Sequence, residues 1–158
     1  MPKAIRELLA KDGQVVYREK TTPRQTFMKR LYNLTPNWSD GIIPVLHQLI
    51  ELDPTTVYAY TCNPAVTHIS KHHGEGSFCG YRNMQMLCSY IIAEKFEGHE
   101  VFDGQVPSIF QIQDHIESAW DNGILSHCRI ATGGIKGTRK FIGTPEVKCV
   151  LQCKRMYC

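Results

Sequence analysis

One cysteine in this sequence, Cys79, follows a glycine-rich loop and begins a run with helical periodicity. Gly74 and Gly76 lie just before it, and glycine lets a backbone approach a substrate closely. A thiol in the first turn of a helix lies at the positive end of the helix dipole, which favours the thiolate form. The unpaired amides of that turn can stabilise an oxyanion. This pattern meets the needs of a nucleophilic cysteine in acyl transfer, but a buried structural cysteine fits it as well.

Hydrophobic periodicity predicts the elements that would hold this cysteine. The strongest pattern lies in the helix after Cys79, where apolar residues recur at Met84, Leu87, Cys88, Ile91 and Ile92. Ser108 and Gln111 form a capping box that starts another helix, which Gly123 ends. Further helices are predicted over residues 3–10, 27–34, 42–50 and from 144 onward, and strands over 14–18 and 56–61.

Charge and composition restrict the classes of protein to which this chain can belong. The chain has 158 residues, a net charge of +3, and 42% hydrophobic and 21% charged residues, unlike a disordered chain. No apolar run could span a membrane, and the first residues do not form a signal peptide. The seven cysteines are an odd and scattered set. We therefore expect an intracellular protein, cytoplasmic or nuclear or both, with reduced thiols.

Basic residues are concentrated at the beginning of the chain. Residues 1–35 hold eight basic and three acidic side chains, and Thr35-Pro36-Asn37 interrupts the helical pattern there. These features predict a basic helical N-terminal extension over residues 1–35 and a main domain over residues 36–158. The basic residues do not form the aromatic-interleaved pattern that is typical of nucleic-acid-binding surfaces, so nucleic acid is not an expected partner.

The run at residues 74–87, Gly-Glu-Gly-Ser-Phe-Cys-Gly-Tyr-Arg-Asn-Met-Gln-Met-Leu, resembles the nucleophile motif of the ubiquitin-fold-modifier-specific protease family. Two later stretches, 106–123 and 137–146, are similar to the zinc-finger ubiquitin-specific peptidase branch of that family, whose members are deubiquitinases. Gly-Ile-Ile-Pro at 41–44 fits the start of the same domain. The resemblance extends over roughly residues 40–150 in the family's order.

This resemblance implies a function and a fold. Cys79 would be the catalytic nucleophile of a thiol peptidase or isopeptidase, attacking the carbonyl after the C-terminal glycine of a modifier. The implied partners are ubiquitin, polyubiquitin or the ubiquitin-fold modifier. The implied fold is an α+β, papain-like cysteine peptidase domain with the Cys79 helix packed on a sheet. The family's peptidase needs no metal and no organic cofactor.

The sequence departs from the family in two respects. Ser77-Phe78 stands where family members have Trp-Gly, and the lost glycine restricts the backbone beside the nucleophile. No segment resembles the family's general-base histidine or its orienting aspartate. We therefore expect a domain incomplete at its C-terminal sheet, a fragment with little activity alone. The alternative is a catalytically inactive, ubiquitin-binding regulatory paralogue, and exposed apolar edges would make either marginally stable or self-associating.

Local histidines offer a substitute base or a metal site. His99 and His127 are predicted in loops, His115 on the solvent side of its helix, and His72-His73 as residues that shape the cysteine loop. Zinc ligation is a competing hypothesis, with candidate ligands at His72, His73, Cys79 and Cys88 and in the cluster of Cys149, Cys153 and Cys158. No Cys-x-x-Cys pair supports it, and the position of Cys88 on an apolar helical face favours a core residue.

Overall fold

A computed structural model of the chain describes residues 1–12 and 37–153 in full, and the backbone alone of residues 16–19 and 31–34. The helices within these ranges are α1 (Lys3–Ala10), α2 (Ile42–Leu52), α3 (Cys79–Ala93), α4 (Ile109–Asp121), α5 (His127–Thr132) and α6 (Thr144–Cys153), with a 3-10 helix at His99–Phe102. The strands are β1 (Val16–Glu19), β2 (Leu31–Leu34), β3 (Trp38–Ser39) and β4 (His68–Ile69).

The described chain is mostly helical, and its sheets are small. β1 pairs with β2 and β3 pairs with β4, both antiparallel, with Trp38 opposite Ile69 in the second pair. The expected α+β fold is therefore found only in part, since each sheet among the described residues has two strands. α3 does contact β4, but no larger sheet lies under it within the described residues.

Two predictions of secondary structure are wrong. Residues 56–61 form no strand, although they are rich in β-branched and aromatic residues, because no partner strand lies beside them in the described chain. The helix predicted over residues 27–34 is instead strand β2 at Leu31–Leu34, and its earlier part lies outside the described residues. Pairing with β1 there overrides the helical spacing of Leu31 and Leu34.

The core lies between α3, α4 and α6, and it confirms the predicted apolar faces of these helices. α4 begins with the predicted capping box, in which Gln111 N donates to Ser108 Oγ at 3.3 Å. Its polar face is exposed while one side packs against α3 and α6. The buried apolar residues of the three helices are Tyr81, Met84, Cys88, Ile91, Ile109, Ile112, Ile116, Ala119, Trp120, Cys149 and Val150.

The N-terminal helix belongs to the same core. α1 is helical as predicted, and its Leu9 is fully buried in the cluster formed by α3 and α4. The strand predicted over residues 14–18 corresponds to β1, which pairs with β2 within residues 1–35. Among the described residues of this segment, the helical part is α1. The domain boundary near residue 35 stays a prediction.

α2 differs from the other long helices in its exposure. Pro44 lies in its first turn, as predicted, but none of its residues is buried. Its apolar face is open to solvent, with Val45, Leu46 and Leu49 between 43% and 60% exposed. Across the described part of the chain, no helix combines the length and the apolar character needed to cross a bilayer.

Candidate active site

Cys79 is exposed and is the first residue of α3, where the sequence predicted it. The helical ladder begins with Arg82 N donating to Phe78 O at 3.0 Å. The amides of the first turn precede this bond, and such amides have no partner within their own helix. The thiol therefore lies beside N–H groups that could bind an oxyanion, while its catalytic role stays a prediction.

Buried aromatic residues fix the chain on both sides of the thiol. Phe78 and Tyr81 are fully buried and meet edge to face, with ring centroids 5.4 Å apart. The Tyr81 hydroxyl accepts a hydrogen bond from Gln113 Nε2 of α4 at 3.3 Å. Burial raises the pKa of Tyr81 to about 12. The hydroxyl of Tyr81 is therefore a structural group, and Cys79 is held at the surface by its buried neighbours.

The segment 139–142 presses against the glycines on either side of Cys79. A Cβ atom at Gly76, which has a φ of 84°, would collide with the Arg139 guanidinium. At Gly80 it would collide with the carbonyl oxygen of Ile142 and lie 3.0 Å from the Ile142 Cγ1 atom. The positive φ requires glycine at residue 76, and the Ile142 backbone leaves no room for a side chain at residue 80. Arg139 and Ile142 therefore form one wall against the residues that flank Cys79.

Two buried polar residues of α4 hold the loop that leads to this wall. Gln113 Oε1 accepts from Gly137 N at 2.9 Å, and Gln113 Nε2 donates to the Thr138 carbonyl at 3.2 Å. Glu117 Oε1 accepts from Ile135 N at 2.6 Å. The sequence analysis missed both roles. The available signal was the position of Gln113 and Glu117, one turn apart, beside the apolar face of α4.

A buried ionic cluster ties the cysteine loop to α3, and we call Asp12, Glu75, Arg82 and Gln85 the Arg82 cluster. Arg82 Nε and Nη2 donate to the two carboxylate oxygens of Glu75 at 3.0 and 2.6 Å. Arg82 Nη1 donates to Asp12 Oδ2 at 2.6 Å and to Gln85 Oε1 at 2.7 Å. The cluster joins residues before and after Cys79 and was not predicted.

His72 shapes the cysteine loop, as predicted. Its backbone N–H donates to Glu75 Oε2 at 2.9 Å, and its Nε2 lies 3.8 Å from Asp12 Oδ1. His73 is exposed in the turn that follows. The described polar contacts of His72 are therefore with the Arg82 cluster and not with the Cys79 thiol.

The later histidines do not lie as predicted. His99 begins a 3-10 helix rather than lying in a loop, and its Nδ1 is 2.9 Å from the Phe96 carbonyl oxygen. His127 begins α5. His115 is half-buried rather than facing solvent, and its ring meets Phe102 edge to face at 6.1 Å.

The competing zinc hypothesis gains no support from the described side chains. Within residues 1–12 and 37–153, no three histidine, cysteine or carboxylate side chains gather as metal ligands. Cys88 is fully buried on the apolar face of α3, as predicted, and burial raises its pKa to about 12. A thiol in that setting stays protonated and acts as a small core residue.

The chain is similar to known peptidases over most of its length. The model of peptidase family C78 matches residues 55–158. Zinc finger-containing ubiquitin peptidase 1 of Mus musculus is 32% identical over 122 residues, which are 76% of this chain and 21% of that protein. The Homo sapiens protein of the same name is 31% identical over 122 residues, again 76% of this chain and 21% of that protein. The chain spans about a fifth of the length of the curated relatives it matches. The match over residues 55–158, which include the exposed Cys79, shows that this chain belongs to peptidase family C78.

Proposed function

We propose that this chain carries the nucleophile of a thiol peptidase or isopeptidase that cleaves a ubiquitin-like modifier after its C-terminal glycine. The observation that carries the proposal is the exposure of Cys79 at the start of α3, between the fully buried Phe78 and Tyr81. A nucleophile needs this combination of an accessible sulfur and a rigid support. A papain-like arrangement around it is part of the proposal.

In this proposal the Cys79 thiolate attacks the carbonyl carbon of the modifier's last glycine. The carbonyl oxygen becomes an oxyanion, which the first-turn amides of α3 could stabilise. The carbon–nitrogen bond then breaks, the amine leaves with the proton that the thiol gave up, and a thioester joins the modifier to Cys79. Attack by water on the thioester releases the modifier and restores the thiol.

Proton transfer needs a general base, and the described polar contacts of His72 and His99 are with other groups. General acid–base assistance contributes about 100- to 10,000-fold to such reactions. We therefore expect this 158-residue chain to form a covalent adduct but to hydrolyse peptide or isopeptide bonds slowly. Turnover comparable to that of an active family member would contradict this expectation.

The choice of modifier is also a proposal. The relatives are named ubiquitin peptidases, which favours ubiquitin or polyubiquitin as the partner of this chain. Family C78 also makes the ubiquitin-fold modifier a candidate. Parallel reactions with the two modifiers would decide between them.

A ubiquitin probe with a C-terminal electrophile tests the proposal, with a ubiquitin-fold-modifier probe beside it. The variants are Cys79→Ala and, as a matched control, Cys62→Ala, because Cys62 is a second exposed free cysteine. We expect an adduct with the wild-type chain and with Cys62→Ala but not with Cys79→Ala. Equal labelling of Cys79→Ala would overturn the proposal.

A binding-only regulatory role is the second candidate, and the contacts of His72 and His99 with groups other than the thiol favour it. Under this reading the chain binds a modifier reversibly without reacting. Saturable binding of unmodified ubiquitin with no adduct from either probe would support it over the peptidase.

A further inference from the structure

We infer that Asp12, in the N-terminal segment, is a positioning residue for the loop that presents Cys79. The inference concerns the site of the proposed function and rests on it. Asp12 precedes the part of the chain that the family model matches, which begins at residue 55. The N-terminal segment would therefore complete a site whose nucleophile lies in the peptidase domain.

The side chain of Asp12 is fully buried among residues that hold the cysteine loop. Its Oδ2 accepts from Arg82 Nη1 at 2.6 Å and from Gln85 Nε2 at 3.1 Å. Arg82 in turn holds both oxygens of Glu75. Since Glu75 precedes Cys79 and Arg82 follows it by one helical turn, the carboxylate of Asp12 supports both ends of the loop.

The loop and Asp12 also meet directly. Asp12 Oδ1 is buried, accepts no hydrogen bond among the described residues, and lies 3.8 Å from His72 Nε2. The His72 backbone donates to Glu75, so the same loop residue contacts both carboxylates. Asp12 thus contacts the cysteine loop directly at His72 and reaches Glu75 through Arg82.

Charge makes these groups dependent on one another. The fully buried carboxylates of Asp12 and Glu75 share one guanidinium, that of Arg82. A buried charge that loses a partner is strongly unfavourable, so the remaining groups rearrange or admit water. Loss of Asp12 would leave Arg82 Nη1 with Gln85 Oε1 as its remaining partner and loosen the orientation of the guanidinium that holds Glu75.

The covalent adduct between Cys79 and the ubiquitin probe tests this inference in three variants. These are Asp12→Ala, Asp12→Asn and a matched control, Glu7→Gln, whose exposed carboxylate lies on α1 and meets Lys3 at 3.9 Å. Misplacing a nucleophile by about 1 Å can slow a reaction by about 100-fold. We expect Asp12→Ala to label about 10- to 100-fold more slowly and Asp12→Asn to fall between it and wild type. Glu7→Gln should react like the wild-type chain.

Amide hydrogen exchange separates positioning from a general loss of stability. We expect faster exchange in residues 72–79 and in α1 of Asp12→Ala, with α4 unchanged, while Glu7→Gln matches the wild type throughout. A purely structural role would speed exchange in α4 as well and would overturn the inference. Unchanged labelling and unchanged exchange in residues 72–79 would also overturn it.

The design keeps the two proposals apart. If the wild-type chain forms no adduct, the proposed function fails, and exchange in residues 72–79 still decides whether Asp12 orders the loop. If Asp12→Ala does not fold, Asp12→Asn carries the test, since it keeps one acceptor oxygen for Arg82. Equal labelling and exchange for Asp12→Asn and wild type would then contradict the inference.

Discussion

Helices α2 and α3 have apolar faces of similar spacing but contrasting surroundings. α3 buries Met84, Cys88 and Ile91 against α4 and neighbouring elements. α2 buries nothing, and Leu49 on its apolar face is 60% exposed. Periodicity therefore predicts that a segment is helical, whereas the fate of its apolar face depends on which partner the fold provides.

The contrast also separates a rigid region from an unpartnered one. The residues around Cys79 are held by α1, α4 and the segment 139–142, so the exposed thiol has a fixed support. α2 instead presents Val45 and Leu46 to solvent, while the exposed apolar sheet edges expected from the sequence stay a prediction. Marginal stability and self-association stay predictions.

The largest effect should come from the Arg82 cluster. Arg82→Leu would leave the buried carboxylates of Asp12 and Glu75 without their cation, at a cost of about 3–5 kcal/mol in the free energy of unfolding. Lys3→Gln is the control, because the exposed pair with Glu7 contributes below about 0.5 kcal/mol. Urea unfolding measures both, and a loss below about 1 kcal/mol for Arg82→Leu would contradict the burial described here.

A pair of alanine substitutions compares the two regions directly. Ile116 is fully buried in α4, so Ile116→Ala should cost about 2–5 kcal/mol. Leu49→Ala on α2 should change the free energy of unfolding by less than about 0.5 kcal/mol. Thermal and urea unfolding at several concentrations provide the measurement. A large loss for Leu49→Ala would mean that α2 is covered in solution, and the contrast would fail.

Close packing beside the nucleophile predicts a third effect. Gly80→Ala places a methyl group against the Ile142 carbonyl and should cost about 1–3 kcal/mol while slowing adduct formation at Cys79. Gly143→Ala is the control, since its Cβ would make an ordinary 3.6 Å contact with Pro145. Equal stability and equal labelling of the two variants would show that the wall formed by Ile142 is not closely packed.

Alkaline pH should weaken the packed region gradually. Burial raises the pKa of Cys88 from 9.0 to about 12, so the folded chain holds this proton more tightly than the unfolded chain. Stability should therefore fall as pH rises above 9.0, by up to about 1.4 kcal/mol per pH unit from this group. Tyr81 adds to the decline above its ordinary value of 10.0.

The control for the pH profile is a cysteine outside the core. Unfolding free energies measured from pH 8 to pH 11 should decline less steeply in Cys88→Ala than in the wild-type chain. Cys62→Ala should follow the wild type, because Cys62 is exposed. If the unfolding free energies of the Cys88→Ala and wild-type chains declined equally with pH, the decline could not be assigned to the buried Cys88 thiol.

Local patterns predicted much of the architecture. The capping box of Ser108, the helix start at Cys79 and the core position of Cys88 each depend on residues close in sequence, and the structure confirms them. The helix predicted at Leu31–Leu34 is wrong because pairing with β1 decides the conformation of this segment. Strand pairing is a tertiary property that helical spacing does not report.

Most of the contacts that hold the site in place could not be predicted from the sequence. Nothing near Asp12 in the sequence indicates that its carboxylate reaches Arg82. Arg139 and Ile142 contact the glycines that flank Cys79, and Gln113 and Glu117 of α4 hold the loop that precedes these two residues. Contacts between segments far apart in the chain leave no pattern in the local sequence from which they could be predicted.

The most direct test of the central claim is to map the modified residue in the wild-type chain. The folded protein is reacted with a ubiquitin probe bearing a C-terminal electrophile, digested, and analysed by tandem mass spectrometry. The account predicts one adduct per chain, on Cys79, that is lost when the protein is unfolded before the reaction. An adduct spread over Cys62, Cys79 and Cys128, or one that survives unfolding, would contradict a positioned nucleophile.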